Sequence, residues 1–346
     1  MKIAITADPD IPVPPLYYGG IERIVSMLID EFILSGHEVT LFAHKSSRMS
    51  ALLKPYSGKS SKSRVDTIRN MHLISSEIYN GKYDVLHSFS RLAYLTFVLP
   101  SRIPKIMSYQ RIPTVSQIIK AQKLAFKNSL VFTGCSNFIS NQIKPYALSS
   151  TIYNGFPQDK YIFSEKVDPH APLVFLGRIE PIKGPHHAID IALKSAKKLI
   201  IAGNIPIEHQ TYFDEQIAPY IDNEQIHYVG AVNDAEKSEL LSKSLALLMP
   251  IEWDEPFGIV MAEAMACGTP VIGLARGAVT EVVTNGVTGY YCQSIEECIE
   301  KVKIIHQLNR EAVRTQAIER FGSKGIAHQY LQLYEQRIHK MKERWI

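Results

Sequence analysis

The chain alternates short apolar runs with helical stretches, and it does so twice. In the first half, strands are predicted at Lys2–Thr6, Glu38–Ala43, Asp84–His87, Lys105–Tyr109 and Leu130–Gly134. They are short and apolar, as strands covered on both faces of a parallel sheet must be. Between the first two, Ile21, Ile24, Val25, Leu28, Ile29, Phe32 and Ile33 recur at helical spacing until Gly36 stops the pattern. The rhythm breaks over residues 149–172, through Asn154-Gly-Phe-Pro157 and Asp168-Pro-His-Ala-Pro172, which reads as a hinge. It resumes with strands at Leu173–Leu176, Leu199–Ala202, Ile226–Val229, Leu245–Met249 and Val271–Gly273. Helices are expected near His186–Ser195, Asp214–Ile221 and Asp234–Ser244, and one long helix over Ser323–Arg344. This alternation predicts an α/β protein with doubly wound parallel sheets. At 346 residues, two domains are expected rather than one core.

Composition is that of an ordinary globular protein, 46% apolar and 21% charged. The longest apolar stretch, around Leu92–Leu99, falls short of the ~20 residues that span a bilayer. The opening Met1-Lys-Ile-Ala-Ile-Thr reads as a strand, with no apolar leader region, so a cytoplasmic protein is expected. Cys135, Cys267, Cys292 and Cys298 show no C-x-x-C spacing and are expected as packed, reduced thiols. A formal charge of +4 is mild and gives no reason to expect a nucleic-acid partner. Lys54, Lys59, Lys62 and Arg64 cluster in a Ser/Gly-rich loop, and the chain ends Arg337-Ile-His-Lys-Met-Lys-Glu-Arg-Trp-Ile346. The plain reading is solvated surface charge. The sharper one is peripheral contact with anionic lipid at the inner membrane face.

The densest chemistry lies at Glu255-Pro-Phe-Gly-Ile-Val-Met-Ala-Glu263, followed by Gly268-Thr-Pro270-Val. Pro256 suits the first position of a helix, Gly258 lets a ligand approach the backbone, and Glu263 falls on the helix's first turns. The run Leu245–Pro250 just before it reads as a buried strand. The helix therefore starts at the carboxyl end of a strand, where open α/β sheets bind ligands. Its free N–H groups would face an anion or a hydroxyl-rich molecule.

Glu255-x7-Glu263 with Phe257-Gly258 and Gly268-Thr-Pro270-Val resembles the signature of retaining glycosyltransferases of family four, which have the GT-B fold. The resemblance implies two Rossmann-like domains facing across a cleft that holds a nucleotide-sugar. Residues 1–155, with a terminal helix at 326–346 packing back, would be the acceptor-side domain, and residues 156–325 the nucleotide-sugar domain. Glu255 would face the donor sugar and Glu263 hold the ribose hydroxyls, with Phe257, Gly258 and Ile259 beside the donor. Gly177-Arg178-Ile-Glu-Pro-Ile-Lys183-Gly184 follows the first strand of the second half and matches the family's Arg and Lys. Those roles pass to Arg178 and Lys183: cationic groups offsetting the charge on a departing diphosphate. Gly19 and Gly20 resemble the glycine loop that approaches the donor phosphates, with Glu22 serving its own helix's first turn. Asn204 and Val229 fit strand ends that meet the base.

Other positions sit less squarely on the pattern. Many relatives carry a His after a first-domain strand, whereas Lys105–Tyr109 is followed by Gln110-Arg111. Gln110 could bond a sugar hydroxyl in its place, and His87 closes the preceding strand. Asp8-Pro-Asp10 has the form of a metal-chelating Asp-x-Asp but sits in a Pro-rich loop near the N-terminus, so no metal is expected there. The implied activity is metal-independent, retaining transfer from a UDP-, GDP- or ADP-sugar to a glycan, lipid-linked or small-molecule hydroxyl. The nucleotide-sugar is the substrate, and no cofactor is expected. Alternatives are a non-catalytic nucleotide-sugar binder, or a sugar-nucleotide epimerase or phosphorylase of the same fold.

Overall fold

The computed structural model describes residues 1–16 and 19–343. The chain divides into two compact units: Met1–Gly155 joined by the last segment from Ser323, and Phe156–Gly322.

The first unit is built on strands β1 (Lys2–Thr6), β2 (Glu38–Ala43), β3 (Leu52–Pro55), β4 (Val85–Ser88), β5 (Lys105–Tyr109), β6 (Leu130–Gly134) and β7 (Ser149–Thr151). They form one sheet in the order β3-β2-β1-β4-β5-β6-β7, with every neighbouring pair parallel. Its helices are α1 (Gly20–Leu34), α2 (Arg64–Asn80), α3 (Val115–Leu124), α4 (Asn137–Ile143) and the terminal α12 (Ser323–Glu343). The second unit carries β8 (Leu173–Leu176), β9 (Leu199–Ala202), β10 (Ile226–Gly230), β11 (Ala246–Met249), β12 (Val271–Leu274) and β13 (Gly289–Cys292). Its sheet is also parallel throughout, in the order β10-β9-β8-β11-β12-β13. Around it lie α5 (Pro185–Lys194), α6 (Gln210–Gln216), α7 (Asp234–Ser242), α8 (Ile259–Ala266), α9 (Val279–Val282), α10 (Ile295–Ile304) and α11 (Arg310–Phe321). Both strand orders are Rossmann-like: the chain winds outward from a central strand, then returns to wind the other way. The fold is of GT-B type, with two such α/β units.

Each strand predicted from the sequence is present, within a residue of its expected bounds. The central ones are buried along nearly their whole length, which is why their sequences read as apolar runs. Three strands lack that signature. β3 is an edge strand with exposed ends, β7 is Ser-Ser-Thr, and β13 is Gly-Tyr-Tyr-Cys. Edge strands have one neighbour, so they need no apolar run; β7 also lies inside the segment read as a hinge. The helix expected over Asp214–Ile221 is α6, ending at Gln216, then a separate 3₁₀ turn at Ala218–Tyr220. Pro219 lacks an amide proton and its ring would clash with the preceding turn.

Lys54 stands on β3 and pairs with Glu77 at 3.1 Å, and Arg64 opens α2, so neither belongs to the Ser/Gly loop proper. That loop is pinned: Ser61 donates to both oxygens of Asp10 at 3.1 and 3.2 Å, and the Asn70 amide brackets Gly58. The terminal Arg344-Trp345-Ile346 lies outside the described residues. Among those described, no helix is long and apolar enough to cross a membrane. All four cysteines are buried, and none forms a disulfide.

Helix α12 returns to the first unit because its buried stripe matches that sheet. Ile326, Ala327, Tyr330, Tyr334, Arg337 and Met341 recur at helical spacing on its inner face. Tyr334 meets Phe32 of α1 edge-on at 5.6 Å between centroids, and Ser323 donates to Glu31 at 2.5 Å. Beneath the helix lies a polar seam. His87 Nδ1 bonds the Tyr334 hydroxyl, His87 Nε2 bonds Ser108 Oγ at 2.6 Å, and Ser108 bonds Thr133 at 2.5 Å and Tyr330 at 3.2 Å. Burial of its ring pushes the His87 pKa from 6.5 down to about 3. Between those values an unfolded chain takes up a proton that the folded chain refuses. Stability from this site is therefore full above pH 6.5 and is lost as pH falls towards 3. His87→Gln should cost about 1–3 kcal/mol at neutral pH, the scale of an unsatisfied buried partner. Urea unfolding across this pH range should show the gap between wild type and variant closing with acid, because Gln does not titrate.

Candidate active site

In the second unit the winding reverses between β8 and β11. β8 leads through α5 to β9 on one side, and β11 leads through α8 to β12 on the other. Such a reversal opens a crevice at the carboxyl ends of the strands. Both motifs from the sequence end there: Gly177–Gly184 follows β8, and residues 250–258 follow β11.

Backbone constraints hold the two loops together. Gly177 donates to Ala202 O and Ile179 to Asn204 O, each at 3.0 Å. A 3₁₀ turn at Pro181–Lys183 then ends at Gly184, whose left-handed φ of 71° caps α5. A Cβ on Gly184 would fall 2.0 Å from Pro250 O, so only glycine lets the loops approach this closely. Glu252 N donates to Ile182 O at 2.9 Å and laces them together.

On this frame Lys183 Nζ lies 2.8 Å from Glu255 Oε2. The same oxygen accepts from the Trp253 indole at 3.0 Å, and the Lys183 ammonium sits 4.5 Å from the centre of the Trp253 ring. Glu255 is 7% exposed, so its charge needs these partners. Its backbone is clamped as well: Ala278 donates to Glu255 O at 2.8 Å, and a Cβ on Gly277 would crowd Glu255 N and O at 2.5 Å. Arg178 lies on the same loop as Lys183 and pairs with the buried Glu180 at 2.8 Å; His209 faces the other Glu180 oxygen at 3.7 Å. Asn204 stands exposed after β9, and Val229 is 51% exposed on β10.

The helix after Glu255 begins later than its sequence suggests. Gly258 adopts φ 72°, ψ 67°, which breaks the helical backbone, so Ile259 is its first residue and Pro256 lies in the loop ahead of it. The N–H groups of Ile259 and Val260 are the first-turn donors with no partner inside a helix. Phe257 turns its ring into the core, edge-on to Phe321 at 5.5 Å. Glu263 is buried at 3% exposure, and its Oε1 accepts from Lys237 Nζ and the Tyr161 hydroxyl, each at 2.6 Å. Lys237 also reaches Asp234 at 3.2 Å. Gly268-Thr-Pro270 is scaffold: Thr269 donates to Leu241 O at 2.6 Å, and Arg310 donates to Thr269, Ser164 O, Ser242 O and Ser244 O.

In the first unit, the carboxyl ends of the central strands hold Asp8, Gln110 and the glycine pair. Gly19 has φ 149°, and a Cβ there would meet Pro15 at 2.6 Å; Gly20 opens α1. Glu22 is buried beside them, its pKa raised chiefly by desolvation and further by Asp8. Asp8 is likewise raised by desolvation, opposed by Arg111 at 3.5 Å, while Asp10 is occupied with the Ser61 amide. Gln110 Oε1 accepts from Asn154 at 2.7 Å, while Gln110 Nε2 and Asn154 Oδ1 are buried without a protein partner. These two atoms can bond a hydroxyl. His87 cannot: it is fully buried, with both nitrogens committed to Tyr334 and Ser108, so it is a core residue rather than a sugar contact.

Trp253, Glu180, Lys237 and Tyr161 were not singled out from the sequence. Trp253 stands two residues before Glu255 and was within reach of a reading of the loop. Lys237 lies 26 residues from Glu263 on a different helix, and nothing in the spacing announces their meeting.

Residues 158–320 match the glycosyl transferases group 1 family. Spore coat protein SA of Bacillus subtilis (strain 168) is 22% identical, over 97% of this chain and 99% of that protein. Sucrose-phosphate synthase from Thermosynechococcus elongatus superposes with a TM-score of 0.81 at 16% identity, covering 97% of this chain and 98% of that one. Anabaena HepE, solved in complex with UDP and glucose, gives 0.73 at 20% identity, covering 97% of this chain and all of that one (100%).

The Lys237–Glu263 pair makes a separable prediction. Lys237→Met leaves a buried carboxylate without its cation and should cost about 3–5 kcal/mol. Adding Glu263→Gln should recover much of that loss, because the uncompensated charge is gone. Chemical unfolding of the two singles and the double checks this; equal and additive losses would dismiss the pairing.

Proposed function

We propose that this chain, whose residues 158–320 match the glycosyl transferases group 1 family, transfers a sugar from a nucleotide-diphosphate sugar to a hydroxyl acceptor with retention of configuration. The observation that carries this reading is the meeting of Lys183 and Glu255 at 2.8 Å at the switch point of the second sheet, with Arg178 on the same loop as Lys183. Cations and a carboxylate side by side suit a reaction that builds opposite charges at neighbouring atoms. Negative charge grows on the departing diphosphate, and positive charge on the anomeric carbon.

In this reading Arg178 presents its fork of donors to phosphate oxygens, and Lys183 adds a movable point charge. Glu255 is held towards the sugar by Trp253 and Lys183. The diphosphate would share Lys183 with Glu255, tightening the three groups as charge develops. The departing phosphate assists the acceptor's attack from its own face, which gives retention. The donor is a UDP-, GDP- or ADP-sugar, and no cofactor takes part. Arg178 and Lys183 fill the place a metal would take, and the oxygens of Asp8 and Asp10 are already engaged with Arg111 and Ser61. Glu263 is assigned to the ribose hydroxyls, Gly258 and Ile259 to the donor by their backbone, and Asn204 and Val229 to the base. Gly19 and Gly20 are assigned to the phosphates. The first unit, with Gln110, is assigned to the acceptor, a glycan, lipid-linked or small-molecule hydroxyl. A cytoplasmic setting fits, with exposed Lys59, Lys62 and Arg64 available for peripheral contact with anionic lipid.

Two substitutions should fail differently. Arg178→Ala removes a contact to a diphosphate present in both donor and free nucleotide, so it should weaken nucleotide binding and slow turnover. Glu255→Gln touches a sugar that the free nucleotide lacks. Nucleotide affinity should hold while turnover falls ~10²-fold or more, the scale of one preorganised electrostatic contact. Isothermal titration with UDP, GDP and ADP beside steady-state transfer rates separates the two. Near-normal turnover in Glu255→Gln would overturn the roles, and binding without transfer in wild type would leave a nucleotide-sugar binder.

A further inference from the structure

Beside the loops just described, the first turn of α5 brings His186 and His187 together with Glu252 of the β11–α8 loop. Among the described residues, this is a group of side chains whose ligand atoms could close on one metal ion: one atom from each, all within 4.8 Å of one another. His187 Nε2 is 2.9 Å and His186 Nε2 is 3.7 Å from the same Glu252 oxygen. Consecutive helical residues ordinarily point apart. Here the two rings converge, with centroids 4.0 Å apart, because both turn towards one carboxylate.

A second observation concerns the far side of the His186 ring. Its Nδ1 is bonded to the Tyr212 hydroxyl at 2.5 Å. With Nδ1–H donating to that hydroxyl, the Nε2 lone pair is left facing His187 and Glu252. An outer partner that fixes the ring's tautomer and direction is the usual companion of a metal-binding histidine. All three ligands keep some exposure, between 25% and 43% of the side chain, so solvent and ions reach them.

We propose that His186, His187 and Glu252 form a binding site for a divalent transition metal of the zinc class. Two imidazoles and one carboxylate suit Zn²⁺, with water completing a tetrahedron. Tetrahedral ligands at about 2.0–2.2 Å from zinc lie roughly 3.3 Å apart, and the two distances to the Glu252 oxygen, 2.9 and 3.7 Å, bracket that value. The ion would tie the start of α5 to the loop that carries Trp253 and Glu255, three residues beyond Glu252. It would lie outside the reacting groups and take no part in transfer, so the proposal stands whether or not the functional reading above is right.

Titration of the metal-free full chain with Co²⁺, a spectroscopic stand-in for Zn²⁺, tests this directly. Wild type should bind one equivalent with the intense visible bands of a tetrahedral ion, and Zn²⁺ should displace it. His187→Gln and Glu252→Gln should each weaken binding at least ~10-fold. Tyr212→Phe, which keeps every ligand, should weaken it by roughly 10-fold through the lost ring anchor. His37→Gln, which removes the histidine 3.1 Å from the Met1 amine, should change nothing. Unfolding midpoints of the metal-free variants show that each is folded. Wild-type titration without saturation, or His187→Gln and Glu252→Gln titrating as wild type does, would overturn the site.

Discussion

The ion pair between Lys183 and Glu255 is the point on which the second unit's architecture converges. The two residues come from loops after adjacent parallel strands, β8 and β11, and meet at 2.8 Å. A carboxylate as buried as Glu255 is stable as an anion only with a cation and a further donor beside it. Lys183 and the Trp253 indole supply both. Much of the surrounding backbone exists to keep that meeting possible. Gly184 lets its loop press against Pro250, and Gly277 lets the turn after β12 grip the Glu255 backbone. The Glu252–Ile182 bond ties the two loops to each other. A side chain at either glycine would push the partners apart before it changed any charge.

The rest of the Glu255–Pro270 motif divides into parts with different physical duties. Glu255 and the first N–H groups of α8 stand beyond the carboxyl end of β11. Glu263 is buried on α8, its Oε1 held by Lys237 and Tyr161. Thr269 and Arg310 lock the far end of α8 onto α7 and the strand that follows. A substitution at Glu255 therefore speaks to chemistry, and one at Thr269 or Arg310 to stability. The first unit has a comparable division. Gln110 and Asn154 hold spare polar atoms at a strand end, while His87, one strand over, is absorbed into the seam that fastens α12.

The strand-by-strand plan was legible because central parallel strands must be apolar along their length, and Lys2–Thr6 or Leu199–Ala202 can be read almost to the residue. Strands β3, β7 and β13 were not, since an edge strand or a Ser-Ser-Thr segment carries no such demand. Arg178, Lys183 and Glu255 were legible as local motifs, and the sheet's winding brings Lys183 and Glu255 together. His87 misled because a histidine at a strand end looks the same whether it faces solvent or a helix that arrives 247 residues later in the sequence. Lys237 and the His186–His187–Glu252 group were invisible for the same reason: each depends on elements that only folding makes neighbours. Pro256 suggested an early helix start, but the left-handed backbone at Gly258 decided it.

If Lys183 and Glu255 act as one unit, their effects on catalysis cannot be independent. The direct measurement is a double-mutant cycle on kcat/KM for transfer, with Lys183→Met, Glu255→Gln and both together. Groups that work as a unit lose most of their effect with the first substitution. The account predicts a double variant no more than a few-fold slower than the worse single, with all three folded. Losses that multiply, the double falling by the product of the singles, would contradict it and leave the pair as two neighbours that merely touch.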